Sequence, residues 1–276
     1  SVNTTWSGNM VLSGNVTVAN GATLTVAPGT SVDAKEYSII VEGVLLANQA
    51  SFFSSVVPET QGSHGQGLWP GIVVEPGGEA NLTDVSVANA SAGVLVRGTF
   101  NATDVVFNDA YRGLSLVGGS ATVDGFEANR MDYEALYVES GSLTLSDGLA
   151  SEVAVGLANH GTAYVEAFTV KEAGVAVQAL AGTLTLDGLS VENASVGIAT
   201  VSGASSTVDE FNGHGMPLAI DAGDADDFSL ASGTVHAERF IVGQGTTHFH
   251  VSGVDFFSTS ADEMRPAVDV RCEGQC

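Results

Sequence analysis

The sequence predicts an all-β fold: a single-stranded right-handed parallel β-helix (solenoid) of about 11 coils, with about 21 residues per coil. Three observations lead there. Glycine-containing turns recur at Gly78, Gly98, Gly119, Gly141, Gly161, Gly182, Gly203, Gly223 and Gly245, with successive spacings of 20, 21, 22, 20, 21, 21, 20 and 22 residues. A short apolar run precedes the turn in most repeats (IVV at 72–74, VLV at 94–96, LYV at 136–138, FIV at 240–242), and a segment alternating with period two follows it (ANLTDVSV, FNATDVVF, TLTLDGLSV). No amphipathic helix of useful length interrupts the series. A unit this short cannot bury its own apolar face, so the units must stack.

Taken in order, residues 1–32 read as an N-terminal cap and first coil, with Gly21 and Gly43 extending the glycine series upstream. The 35-residue gap between Gly43 and Gly78 holds a loop insertion at 57–67. The solenoid then runs to residue 260, and 261–276 forms a C-terminal tail or cap. Parallel strands about 4.8 Å apart make eleven such coils roughly 50 Å long, and right-handed coiling follows the general preference of parallel crossovers. Asn89, Asn108, Asn129, Asn193 and Asn212 all fall about ten residues past their glycines. That column predicts a sharp bend, since asparagine tolerates left-handed backbone and stacked amides can bond from coil to coil.

Composition bounds the partners. There are 34 glycines but 6 prolines, and 32 acidic against 8 basic residues give a formal net charge of −24. Such a surface repels phosphate backbones, so a nucleic-acid partner is excluded, and no apolar run is long enough to predict direct membrane insertion. Cations, salt-rich water and basic partners suit it.

The stretches SGNVTVANGATLTVAPGTSV (13–32) and GLWPGIVVEPGGEANLTDVSV (67–87) resemble the opening coils of the right-handed parallel β-helix superfamily (pectate-lyase-like fold), particularly its repeat-containing surface and secreted proteins. The resemblance implies a fold and leaves function open, because this architecture hosts lyases, hydrolases, adhesins and inert scaffolds. Polygalacturonases of the fold carry an Asn-Thr-Asp, an Asp pair, a Gly-His-Gly and an Arg-Ile-Lys on successive coils. This chain has Gly213-His214-Gly215, but VENAS (191–195) stands one coil earlier and VHAERF (235–240) one coil later, so the paired carboxylates that acid-catalysed glycoside hydrolysis needs do not occur in that order. Lyase chemistry needs a base beside Ca²⁺-binding acids. Here the lysines are Lys35 and Lys171, and the arginines are scattered. His248 and His250 share one side of a strand, with His236 at a different place in its coil. The expectation is a chain that is not an enzyme.

Two acidic features remain. DAGDADD puts Asp221, Asp224, Asp226 and Asp227 in one turn, where hard oxygen ligands suit Ca²⁺, the one cofactor the sequence suggests. A solvated acidic turn is the alternative. Asp84, Asp104, Asp124, Asp147, Glu166, Asp187 and Asp209 fall five or six residues past each glycine and predict a column of carboxylates. Asn3, Asn15, Asn81, Asn89, Asn101 and Asn193 head Asn-X-Ser/Thr sequons, with Asn3, Asn15, Asn81 and Asn101 the favoured acceptors. Cys272 and Cys276 are the two cysteines, which pair locally or bridge to a second chain. The function expected is a non-catalytic extracellular or cell-surface structural protein: an envelope component, an adhesin stalk or a subunit of a self-associating assembly. Its partners would be copies of itself, other surface proteins or glycans. A carbohydrate-active or carbohydrate-binding β-helix protein is the alternative, for which Trp69, Tyr111, Tyr133 and Tyr137 are the available aromatics.

Overall fold

The computed structural model describes residues 2–56, 69–201, 203–223, 225–244, 248–259 and 268–271, so the 57–67 insertion, Asp224, Cys272 and Cys276 lie outside the described residues. The chain is a parallel β-solenoid of about 11 coils, and among the described residues the paired strands are parallel. It divides into two compact units, residues 1–145 and 146–276.

In the first unit each coil contributes a strand to each of three faces. On one face β1 (Thr4–Trp6) pairs with β4 (Thr23–Val26), which pairs with the start of β7 (Val44–Phe53). Two further coils, β9 (Glu79–Ala88) and β11 (Thr99–Ala110), extend that stack. On the second face β2 (Asn9–Val11) pairs with β5 (Ser31–Asp33), and β5 with the end of β7. On the third, β3 (Val16–Val18), β6 (Ile39–Val41), β8 (Ile72–Val74) and β10 (Ala92–Val96) stack in turn. β12 (Arg112–Asn159) receives both β10 and β11.

In the second unit one continuous strand spans nearly a whole coil. β13 (Thr162–Ala179), β14 (Gly182–Thr200), β15 (Ala204–Gly223) and β16 (Asp227–Gln244) pair successively. The next coil lies on β16 in three pieces: β17 (His248–Val251), β18 (Val254–Ser258) and β19 (Val268–Arg271). The tail therefore supplies a parallel strand at 268–271.

Side-chain alternation explains the core. Ala80, Leu82, Val85 and Val87 stack directly on Phe100, Ala102, Val105 and Phe107, all buried, while intervening residues face out. The alternation skips at each bend: between Leu82 and Val85 both Thr83 and Asp84 point to solvent. The skip is a bend made by one left-handed residue, with Gln49, Asp84, Asp104 and Gly125 occupying it in the first unit and Asp147, Ala167 and Gly188 in the second. A second left-handed column comprises Asn89, Asp109 and Arg130, then Glu152, Glu172, Asn193 and Gly215.

These bends correct two sequence readings. The seven carboxylates do not share one column: Asp84, Asp104 and Asp147 sit at the left-handed position, whereas Asp124, Glu166, Asp187 and Asp209 occupy the strand position before it. The five asparagines separate likewise. Asn89 and Asn193 are left-handed, Asn108 and Asn129 pair with each other just before the bend, and Asn212 pairs with Ser190 and Thr234 further back along the strand. Coils of 20 to 22 residues shift a count made from the glycine by one or two places, and one place reverses the face of a strand. The glycines themselves stack closely: a Cβ on Gly98, Gly119 or Gly141 would lie 2.3, 2.1 or 2.4 Å from the carbonyl oxygen of the preceding glycine in the column. At the start of the series Ala22, rather than Gly21, opposes Gly43.

Candidate functional site

A dense grouping of aromatic and charged side chains on the first unit follows its second bend. Beyond left-handed Asp109 and inward Ala110, the chain turns outward at Tyr111 and Arg112, then re-enters the core at Leu114. One coil later Met131 is inward, and Tyr133 and Glu134 repeat the outward step. The Tyr133 N–H donates to the Tyr111 carbonyl at 3.0 Å, which fixes the two residues one above the other. Their rings stack with centroids 4.7 Å apart and 27° between planes. Arg112 and Glu134 are superposed in the same way, and Arg112 Nε donates to Glu134 Oε2 at 2.5 Å. The guanidinium carbon lies 4.2 Å from the Tyr137 ring centroid, and 5.7 and 5.9 Å from those of Tyr111 and Tyr133. Arginine stacked on aromatic faces and pinned by a carboxylate is held in one orientation.

Two of the phenols feel their burial. Burial raises the Tyr111 hydroxyl above its ordinary 10.0, with Tyr133 adding to the effect. Burial also raises Tyr137, the Glu139 charge adds to it, and Arg112 offsets only part. Glu134 is buried but holds its charge partner, so the site contains an internal ion pair rather than a naked charge. Among the described residues no group accepts from the terminal nitrogens of Arg112. Ser115, one coil before Tyr137 on the same face, is 2 % exposed, and its hydroxyl has no hydrogen-bond partner.

The residues singled out in the sequence are distributed elsewhere. Asn81 Nδ2 donates to Glu79 Oε1 at 2.8 Å, Asn101 Nδ2 to Asn81 Oδ1 at 2.9 Å, and Asn89 Nδ2 to the Ser54 carbonyl at 3.1 Å. In contrast, exposed Asn3 and Asn15 use only their oxygens, which accept from the Thr23 and Ser38 N–H groups. Asn193 is exposed, with its side-chain oxygen over Gly215. Within the acidic turn, Asp226 Oδ1 accepts from the Gly203 N–H at 3.4 Å, and Asp227 lies 2.9 Å from His248 Nδ1, so the two adjacent carboxylates are drawn to different partners. Asp221 is half-buried opposite Ala199 and Val242. Among the described residues, no three His, Cys, Asp or Glu side chains converge as a metal site would require.

His214 stands beside Glu192 in the neighbouring coil, and Gly215 forms the left-handed bend. Glu192 pairs with Lys171 on its other side, at 3.2 Å. His236 stacks on Phe257 with centroids 4.7 Å apart. Trp69 is fully buried and donates to the Ala88 carbonyl at 3.0 Å, a packing role against the early coils. Compared with known proteins, the chain matches no protein-family model and no curated sequence.

Proposed function

We propose that the chain is a non-catalytic structural protein of the cell surface or extracellular space, acidic and glycosylated, built to be a continuous scaffold. One observation carries this reading: the scarce cations are used as stitches between neighbouring coils. Arg97 reaches Glu75 at 3.0 Å, Arg130 reaches Asp109 at 2.7 Å, Lys171 reaches Glu192 and Arg112 reaches Glu134, each pair 21 or 22 residues apart. An enzyme or a receptor for anions gathers its positive charge at one site; here it is spent along the stack. The half-exposed pairs contribute little individually, about 0–1 kcal/mol, but each of the four enforces register between successive coils. The free amide nitrogens of Asn3 and Asn15 fit the glycoprotein reading.

Fractionation of native cells with an antibody to the chain tests the proposal. Recovery in the envelope or secreted fraction, with a mass above the bare 28.0 kDa, is the expected result. Recovery from the cytosol at the bare mass would sink it.

A further inference from the structure

We propose that the Tyr111–Arg112–Tyr133–Glu134–Tyr137 cluster is a binding site for a neutral pyranose glycan. It goes beyond the scaffold reading and stands or falls separately from it. Tyr133 is 47 % exposed although its ring stacks on Tyr111, so the pair presents apolar ring surface to water instead of burying it. The axial C–H face of a pyranose is a weakly positive apolar plate, and the negative face of a tyrosine ring is its complement.

Hydroxyl recognition needs donors and acceptors at the plate's edge, held rigidly. Arg112 supplies donors, since its Nε is committed to Glu134 and its terminal nitrogens have no acceptor among the described residues. Glu134 supplies an acceptor through Oε1, the oxygen not used by Arg112.

Charge selects the ligand class. The Arg112 cation is cancelled by Glu134, Glu139 adds a further negative charge nearby, and the chain carries −24 overall. An anionic sugar would meet net repulsion, so a neutral glycan fits.

The test is calorimetric titration of the whole chain with cellohexaose, mannohexaose and chitohexaose, and with hexagalacturonate as the charged comparison. At least one neutral hexasaccharide should bind, and should bind more tightly than hexagalacturonate. Tyr133→Ala should weaken it roughly tenfold or more, while Tyr133→Phe, which keeps the ring, should hold within about twofold of wild type. A measurement on the unaltered protein guards against a folding defect in the variant: the bound sugar should protect Tyr133 from nitration by tetranitromethane and leave Tyr164, exposed in the other unit, unprotected. Binding by no neutral sugar, tighter binding of hexagalacturonate, or equal nitration of Tyr133 with and without sugar would overturn the proposal.

Discussion

Asp33 shows how much a single side chain can contribute in the early coils of the solenoid. Its carboxylate accepts from the Lys35 N–H at 3.1 Å, the Ser55 N–H at 3.0 Å and the Ser55 hydroxyl at 2.7 Å, with Lys35 Nζ 2.8 Å away. Burial alone raises the pKa; the Lys35 and Ser55 contacts together outweigh it and hold the group at about 2, against an ordinary 3.8. A folded pKa below the unfolded one adds stability that is present above about pH 4 and lost as the pH falls toward 2, here about 2 kcal/mol at neutral pH. Asp33→Asn should therefore destabilise the chain by about 2 kcal/mol at pH 7, and the gap between variant and wild type should close between pH 4 and pH 2. Urea unfolding across that range measures it, and a gap that stays constant refutes the charge argument. None of this was legible in the sequence, because Asp33 and Ser55 are 22 residues apart and become neighbours only through stacking. The tyrosine–arginine cluster was hidden for the same reason. Tyr111 and Tyr133, and Arg112 and Glu134, are also separated by one coil; reading the chain against itself at that offset would have paired both.

At the scale of the strand and its bends, the repeat was legible because it is steric. The glycine series marks places where successive coils approach too closely for a Cβ, so its period survives in the sequence. The left-handed bends were legible only in part: Asn, Asp or Gly holds nine of the fourteen, but Gln49, Ala167, Arg130, Glu152 and Glu172 adopt the same backbone without that chemistry. Stacking of neighbouring coils overrides the local preference that would have favoured asparagine or glycine there. Two glycines separate the cost of conformation from the cost of space. Gly77 and Gly119 both have positive φ, at 84° and 67°, but a Cβ on Gly77 meets nothing within 4 Å, whereas one on Gly119 falls 2.1 Å from the Gly98 carbonyl oxygen. Gly77→Ala should cost about 1–2 kcal/mol, the penalty for left-handed backbone. Gly119→Ala should cost at least about 3 kcal/mol, since the clash is with backbone that cannot rotate away. Thermal unfolding of the two variants side by side measures this, and equal losses would mean that the column is conformational rather than steric.

For the molecule as a whole the governing quantity is its charge, and the register decides where that charge acts. Glu166, Asp187 and Asp209 are exposed and lie one above another in three successive coils of the second unit. Strands about 4.8 Å apart bring such carboxylates to about 5 Å, where a like-charged pair repels by somewhat under 1 kcal/mol in water. Asp187, in the middle, has two such neighbours, whereas the position after Asp209 in the stack is Ala231. Asp187→Asn should thus stabilise the chain by up to about 1.5 kcal/mol at low salt, and Asp209→Asn by about half as much. Raising the salt from about 0.01 M to about 1 M shortens the screening length from roughly 30 Å to roughly 3 Å. The wild type should then gain in melting temperature, and the advantage of both variants should disappear. The order of the effects is the decisive outcome: salt should help the wild type most, Asp209→Asn less and Asp187→Asn least. Melting curves that respond equally to salt in all three would show that the stacked carboxylates do not interact, and that the acidity serves the surroundings of the protein rather than the energetics of its fold.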